Sequence, residues 1–234
     1  MTAAASASFL RPERLEAKLN RLRAGVLGAN DGIVSTAGLV MGVAGANASS
    51  QTLLIAGLAG LIAGALSMAG GEYVSVSSQK DTELAAVKQV RQVLRASPAA
   101  ALSALTAAYR EKGLADPLAR EVAEQLTRRD AVAAQTEAQF GVNAHEQTSP
   151  RQAAFASFLS FTAGAVIPLA AMVLTPPAGR LIAVAIAVGA ALGLTGVVSA
   201  RLGNARAAVA AGRNIAVGLL TMGVAYLVGR LVSL

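Results

Sequence analysis

Cysteine is absent from this 234-residue chain, and histidine occurs once, at His145. Disulfides, thiolate metal centres and multi-histidine zinc sites are thereby excluded. Charge is scarce: 14% of residues are charged, against about 25% in an ordinary soluble domain. Aromatics make up only 3%. The apolar mass is Ala, Gly, Val and Leu, small residues that let helix backbones approach where lipid gives no drive to pack. No Walker loop, dinucleotide fingerprint or nucleophile elbow occurs. The glycines inside apolar runs are therefore packing glycines. No cleavable signal peptide is evident either, since Met1–Phe9 is small and uncharged and the run that follows is too long and glycine-rich.

What remains is membrane composition, with 54% hydrophobic residues. Five apolar runs approach or exceed the roughly 20 residues that span a bilayer. They are Ala24–Ala46, Thr52–Ser78, Gln152–Leu174, Leu181–Ala200 and Ile215–Val232. The second would be about 40 Å long as a helix, more than the hydrocarbon core needs, so it should tilt or project. The net charge of +7 does not indicate nucleic acid, because the basic residues flank the apolar runs. With five spans and the N-terminus inside, 18 of the 20 Lys and Arg residues fall on the cytoplasmic side.

The residues between the second and third runs are polar and well punctuated. Ser97-Pro98, Asp116-Pro117 and Ser149-Pro150 each place a capping side chain before a proline suited to the first helical turn. Gly113 and Gly141 sit where helices should stop. This predicts helices over Lys80–Ala96, Pro98–Lys112 and Pro117–Phe140. Their apolar stripes are Leu84/Val87/Val90/Leu94, Leu102/Leu105/Tyr109 and Leu118/Val122/Leu126. The fold class expected is an all-α membrane protein: five transmembrane helices with a three-helix cytoplasmic insert between the second and third. Residues 1–23 form a cytoplasmic N-terminal segment, 24–78 the first two spans, 79–151 the insert and 152–234 spans three to five.

Asp31 and Glu72 are the only carboxylates inside the five runs. A charge at bilayer depth costs about 2.5–3.5 kcal/mol on insertion scales, so each is a functional candidate. Asp31 is flanked by Gly28, Asn30 and Gly32, with Ser35 and Thr36 about one turn on. Met68 and Glu72 share a helix face, four residues apart, and Ser75 lies three further. Asp31, Met68 and Glu72 are the principal metal-path candidates, with Asn30, Ser35, Thr36 and Ser75 as weaker ones. Carboxylate and thioether without thiolate or imidazole suit a first-row divalent cation held loosely enough to leave. The plainer alternatives are that Asp31 pairs with a polar neighbour, that Met68 is core packing, and that Glu72 is a solvated vestibule residue.

At these residues the chain resembles the vacuolar iron transporter family, which includes bacterial members. The resemblance rests on Gly28–Thr36, on Gly64–Glu83 (GALSMAGGEYVSVSSQKDTE) and on Ser160–Leu169 with Phe161, Gly164 and Pro168. It implies a homodimeric transporter, not an enzyme, with no tightly bound cofactor. Its substrate would be Fe(II), often Mn(II), moved out of the cytosol in exchange for protons. Asp31 and Met68 would line the ion path, and Glu72 matches the bacterial form of the motif. The expected location is the bacterial inner (plasma) membrane, with N-terminus and insert cytoplasmic.

The insert departs from the family's metal-gathering pattern of glutamates and methionines. Leu84–Leu94 carries no acid, the second helix none before Glu111, and Glu137 is the only acid near the end of the third. Nine acids face ten bases across residues 79–151. Glu121, Glu124 and Asp130 lie among Arg120, Arg128 and Arg129 and read as a solvated, salt-bridged face, and His145 and Glu146 as loop residues. The insert is therefore expected to bind metal weakly or not at all. The rival reading is a non-transporting membrane scaffold or regulatory subunit. An intramembrane enzyme lacks any nucleophile–base dyad.

Overall fold

The computed structural model describes residues 12–144 and 149–233, with side chains from residue 25 onward. His145 and Glu146, and residues 1–11 of the N-terminal segment, lie outside the described residues. The elements are α1 (Pro12–Gly45), α2 (Ser50–Ala96), α3 (Pro98–Glu111), α4 (Asp116–Phe140), α5 (Pro150–Leu174), a single 3₁₀ turn (Pro177–Gly179), α6 (Arg180–Leu202) and α7 (Ala207–Val232). The described residues contain no strand. Five helices are long and apolar enough to cross a membrane: α1 from Gly25, α2, α5, α6 with its preceding turn, and α7.

Helix boundaries depart from the apolar runs in one consistent way: the helices are longer. α1 begins at Pro12, in the basic segment, and α7 at Ala207, so Arg213 and Asn214 lie inside a helix. The largest departure is α2, a continuous helix of 47 residues. The expected break between Ser78 and Lys80 does not exist, so the first of the three predicted insert helices is the C-terminal part of α2. The cause is local. No Gly or Pro occurs between Gly71 and Pro98. Across the junction Thr82 Oγ1 donates to the Ser78 carbonyl at 3.0 Å and Gln79 Nε2 to Glu83 Oε1 at 2.8 Å. The helix stops only at Ser97, extended at φ −151° and ψ 75°, as a residue before proline prefers.

The capping expectation also needs correction. Ser97 is an N-cap without a side-chain hydrogen bond. Asp116 is already helical behind the N-cap Ala115, and its carboxylate meets Arg110 at 3.3 Å. The glycine stops hold: Gly113 and Gly141 have φ of +97° and +64°, a region L-residues with a Cβ rarely adopt. At the start of α2, Ser49 Oγ accepts from the Thr52 amide at 3.2 Å.

The chain divides into two compact units, one of residues up to Glu72 and from Arg151 onward, the other Tyr73–Pro150. In the second unit α3 packs on α4 around Leu105, Ala123 and Ala134. The buried stripe of α4 runs through Ala119 and Ala123, while Leu118 is exposed, one position off the predicted Leu118/Val122/Leu126 face. On α2, Leu84 is exposed and Ala86 and Val90 are buried. Small alanines admit a closer approach of backbones than the leucines would. Gln135 is buried and donates to the Ala101 carbonyl at 2.5 Å, tying α4 to α3, while Gln139 donates to Gln135 Oε1 at 2.6 Å. α4 is interrupted at Asp130 (φ −163°, ψ 96°), whose Oδ1 accepts from the Ala133 amide at 2.9 Å and so starts the helix again.

In the first unit the core gathers Ile33, Ala37, Val40 and Met41 of α1 with Leu53, Met172, Val184, Val188, Leu192 and Met222. Of the five candidate spans α1 is the most buried and α7 the least. The outward faces of α2, α6 and α7 carry exposed Ile55, Ile62, Ile186, Leu194, Leu220 and Leu227, side chains suited to hydrocarbon. α1 and α5 meet backbone to backbone: a Cβ at Gly32 would fall on the Phe161 carbonyl, and one at Gly164 on the Ala29 carbonyl. These two glycines set the register of Asp31 against α5.

Candidate metal-ion site

Asp31 sits one residue before the Gly32 crossing, so its position follows from the α1–α5 contact. It borders a cavity of about 320 Å³ in the first unit. From α1 the wall takes Asp31, Ser35, Thr36 and Leu39; from α2 it takes Gly60, Gly64, Ser67 and Met68. Phe161 of α5 closes it, its ring lying where a side chain at position 64 would stand. Glycine at positions 60 and 64 leaves room for the Leu39 and Phe161 side chains that help wall the cavity.

The wall is layered. At Leu39 the side chain occupies the place of a residue-60 Cβ, so Leu39 and Gly60 are level. Because α1 and α2 are joined by a short turn and run antiparallel, Asp31 lies toward Ser67 and Met68. Ser35 Oγ donates to the Asp31 carbonyl at 2.6 Å, which uses its proton and leaves oxygen lone pairs. Thr36 is 2% exposed, and its Oγ1 has no hydrogen-bond partner. The cavity thus combines a carboxylate, a thioether and three hydroxyl-bearing residues, which is a workable ligand set for a divalent transition metal.

The candidates separate cleanly. Asp31, Met68, Ser35 and Thr36 come together on one cavity. Asn30 turns elsewhere: its Oδ1 accepts from Thr195 Oγ1 of α6 at 3.0 Å. Glu72 is one turn along α2 from Met68 and is not in the wall. Ser75 belongs to the second unit. Ser67 and Phe161 were missed as wall residues. Ser67 was legible in principle, since Gly60, Gly64, Ser67 and Met68 follow the spacing of one helix face. Phe161 required knowledge of which helix closes the third side.

In the second unit Arg120 Nε pairs with Glu124 Oε1 at 3.1 Å, and Glu121 accepts from Gln125 at 3.2 Å. Among the described residues no three His, Cys, Asp or Glu side chains gather as metal ligands. Burial, and then the neighbouring Glu137, raise the Tyr109 phenol above its ordinary range.

Comparison with known proteins places the molecule. The profile of the VIT family matches residues 22–230. The chain is 41% identical over 211 residues to a vacuolar iron transporter of Acanthamoeba castellanii, covering 89% of this chain and 77% of that protein. It is 38% identical over 211 residues to vacuolar iron transporter homolog 1 of Oryza sativa subsp. japonica, covering 90% and 73%. With vacuolar iron transporter homolog 2 of Arabidopsis thaliana the identity is 36% over 214 residues, covering 91% and 85%. A match over nearly the whole chain, on a fold with five helices fit to span a bilayer, makes this protein an integral membrane member of the VIT family.

Proposed function

We propose that the protein transports divalent transition-metal ions, Fe(II) or Mn(II), out of the cytosol in exchange for protons, for iron and manganese homeostasis. That it is a metal-ion transporter and not an enzyme follows the relatives, which are named as transporters. The observation that carries the finer reading is the meeting of Asp31 and Met68, from two helices, on one cavity. In this reading Asp31 and Met68 hold the ion, Ser35 lends an oxygen, and Glu72 stands one turn away as the approach from the cytosol. Asn30, tied to Thr195, supports the helix pairing beside the site, and Ser75 is left without a role in it.

Exchange follows from chemistry. A bound cation and a proton are alternative partners of a carboxylate, the cation favouring its ionised form. Metal and protons therefore compete for the same oxygens. Orientation follows from the basic residues, 18 of 20 of which lie on the side of the N-terminus and of residues 79–151. The bacterial form of the motif at Glu72 favours a plasma membrane; the relatives named above are eukaryotic and carry vacuolar names. A second copy in the bilayer fits the lightly buried α2, where Gly70 and Gly71 have open space beside them.

Asp31→Asn is expected to abolish Mn(II) uptake into proteoliposomes while leaving detergent-solubilised protein monodisperse. Normal flux from that variant would refute the mechanism. Insert residues 79–151 are proposed to bind metal weakly or not at all. Calorimetric titration of the full chain should then find a single class of Mn(II) site, lost in Asp31→Asn; several residual micromolar sites would contradict this. The scaffold alternative predicts no flux from the wild-type protein and a stably co-purifying partner.

A further inference from the structure

Two buried threonine hydroxyls have no hydrogen-bond partner among the described residues, Thr36 of α1 and Thr127 of α4, and of these only Thr36 belongs to the cavity wall. Five other helical threonines, Thr82, Thr106, Thr136, Thr162 and Thr221, donate to the carbonyl four residues back at 2.7–3.0 Å. Ser35, the residue before Thr36, does the same at 2.6 Å. Thr36 does not, although the Gly32 carbonyl is available at that spacing. Its Oγ1 is buried and unpartnered, and the residue lines the cavity. A buried hydroxyl left unpaired is costly, and a helix offers the i−4 carbonyl as a ready remedy. At Thr36 the unpaired oxygen coincides with the cavity wall, beside Asp31 and Met68, where a cation could take up its lone pairs.

The layering says what enters. Asp31 and Met68 lie toward one end of the cavity and the Leu39–Gly60 contact closes the other. Thr36 stands between them, the innermost polar side chain of the α1 wall before Leu39. Met68 presents a soft sulfur from α2. Thr36 presents a hard neutral oxygen that adds no charge to the site. Hard oxygen ligands favour Mn(II) over soft cations such as Cd(II), whereas a thioether does the reverse.

We infer that Thr36 is a selectivity residue: its hydroxyl ligates the transported ion, directly or through a retained water, and biases the cavity toward oxygen-preferring divalent metals against the pull of Met68. The inference rests on the transport reading above and assigns the hardness of the substrate within it.

The test uses the full-length protein in proteoliposomes, with Mn(II) and Cd(II) as probes. Thr36→Val removes the hydroxyl at nearly constant shape, and Thr36→Ser keeps it. The Val variant should lower the Mn(II)/Cd(II) ratio of kcat/KM about tenfold, the low end of the loss seen when a metal site loses a supporting partner, while the Ser variant stays near wild type. An unchanged ratio in Thr36→Val would overturn the inference. Thermal unfolding gives a second reading. Metal-free Thr36→Val should melt no lower than wild type, because no partner is lost, but its Mn(II)-induced rise in Tm should shrink. A metal-free Tm clearly below wild type would mean the hydroxyl has a structural partner, and would also overturn it. If Asp31→Asn carries both metals normally, it is the transport reading that fails, whatever the Thr36 ratio.

Discussion

Gly32 and Asp31 are adjacent in sequence and divide the labour of one position: the glycine brings α1 onto α5, and the carboxylate borders the cavity that results. Gly32→Ala would place a methyl against the Phe161 carbonyl. Overpacking of this kind costs about 1–3 kcal/mol, so a fall in Tm is expected, together with loss of flux as Asp31 moves. A variant that melts and transports like wild type would show that the crossing is looser than described. Tyr109 supports a prediction of the opposite kind, remote from the cavity. Its folded-state pKa is raised by burial and by Glu137. The folded form thus holds the phenolic proton more tightly than the unfolded chain does. The associated stability is present below the unfolded value near 10 and is lost as pH rises through the raised folded value. Hydrogen exchange of residues 98–140 should accelerate in that alkaline window beyond its intrinsic rise, and Tyr109→Phe should remove the effect. Among the residues of the cavity wall, Asp31 and Met68 were legible because a carboxylate and a thioether stand out in apolar helices. The partner of Asn30 was not legible: its amide oxygen accepts from Thr195, on a helix whose proximity no local pattern reveals.

At the scale of elements, hydropathy located all five spans but not their ends. Hydropathy reports the solvent a residue prefers, whereas a helix persists until something breaks it. The stretch Ser77-Ser78-Gln79-Lys80-Asp81 is polar and contains no breaker, so α2 crosses it intact. Spin labels at Ser75 and Gln92, both exposed, should report backbone positions about 25 Å apart, the 1.5 Å rise of an unbroken helix over seventeen steps. A short or broad distribution would restore the separate insert helix. The kink at Asp130 was illegible for a related reason. Asp is ordinary on a solvated helix face, and only the Ala133 amide it accepts from marks it as a new start. Buried alanine stripes on α3 and α4 were hidden by neighbouring leucines, which draw the eye in any periodicity argument but are too large for the closest helix contact.

For the molecule as a whole, the absence of cysteine is an experimental gift. Single introduced thiols label without background, and Glu111→Cys and Ala178→Cys both fall at exposed positions. In right-side-out cells an impermeant maleimide should reach Ala178→Cys and leave Glu111→Cys unlabelled until the membrane is opened; the reverse pattern would invert the proposed orientation. The contacts of α1 carry one more consequence. On one flank it touches α5 at Gly32 and Gly164; on another it touches α7, where a Cβ at Gly229 would strike the Gly42 carbonyl and one at Gly45 the Tyr226 carbonyl. Backbone pressed on backbone has no rotamers to give. α2, by contrast, reaches its neighbours at Gly57, Gly60 and Gly64 through the tips of Leu169, Leu39 and Phe161, which can swing. On the transport reading proposed above, the helix carrying the carboxylate would act as a stator, and the motion that lets an ion in and out would fall to the helix carrying the sulfur, with Met68 travelling while Asp31 stays.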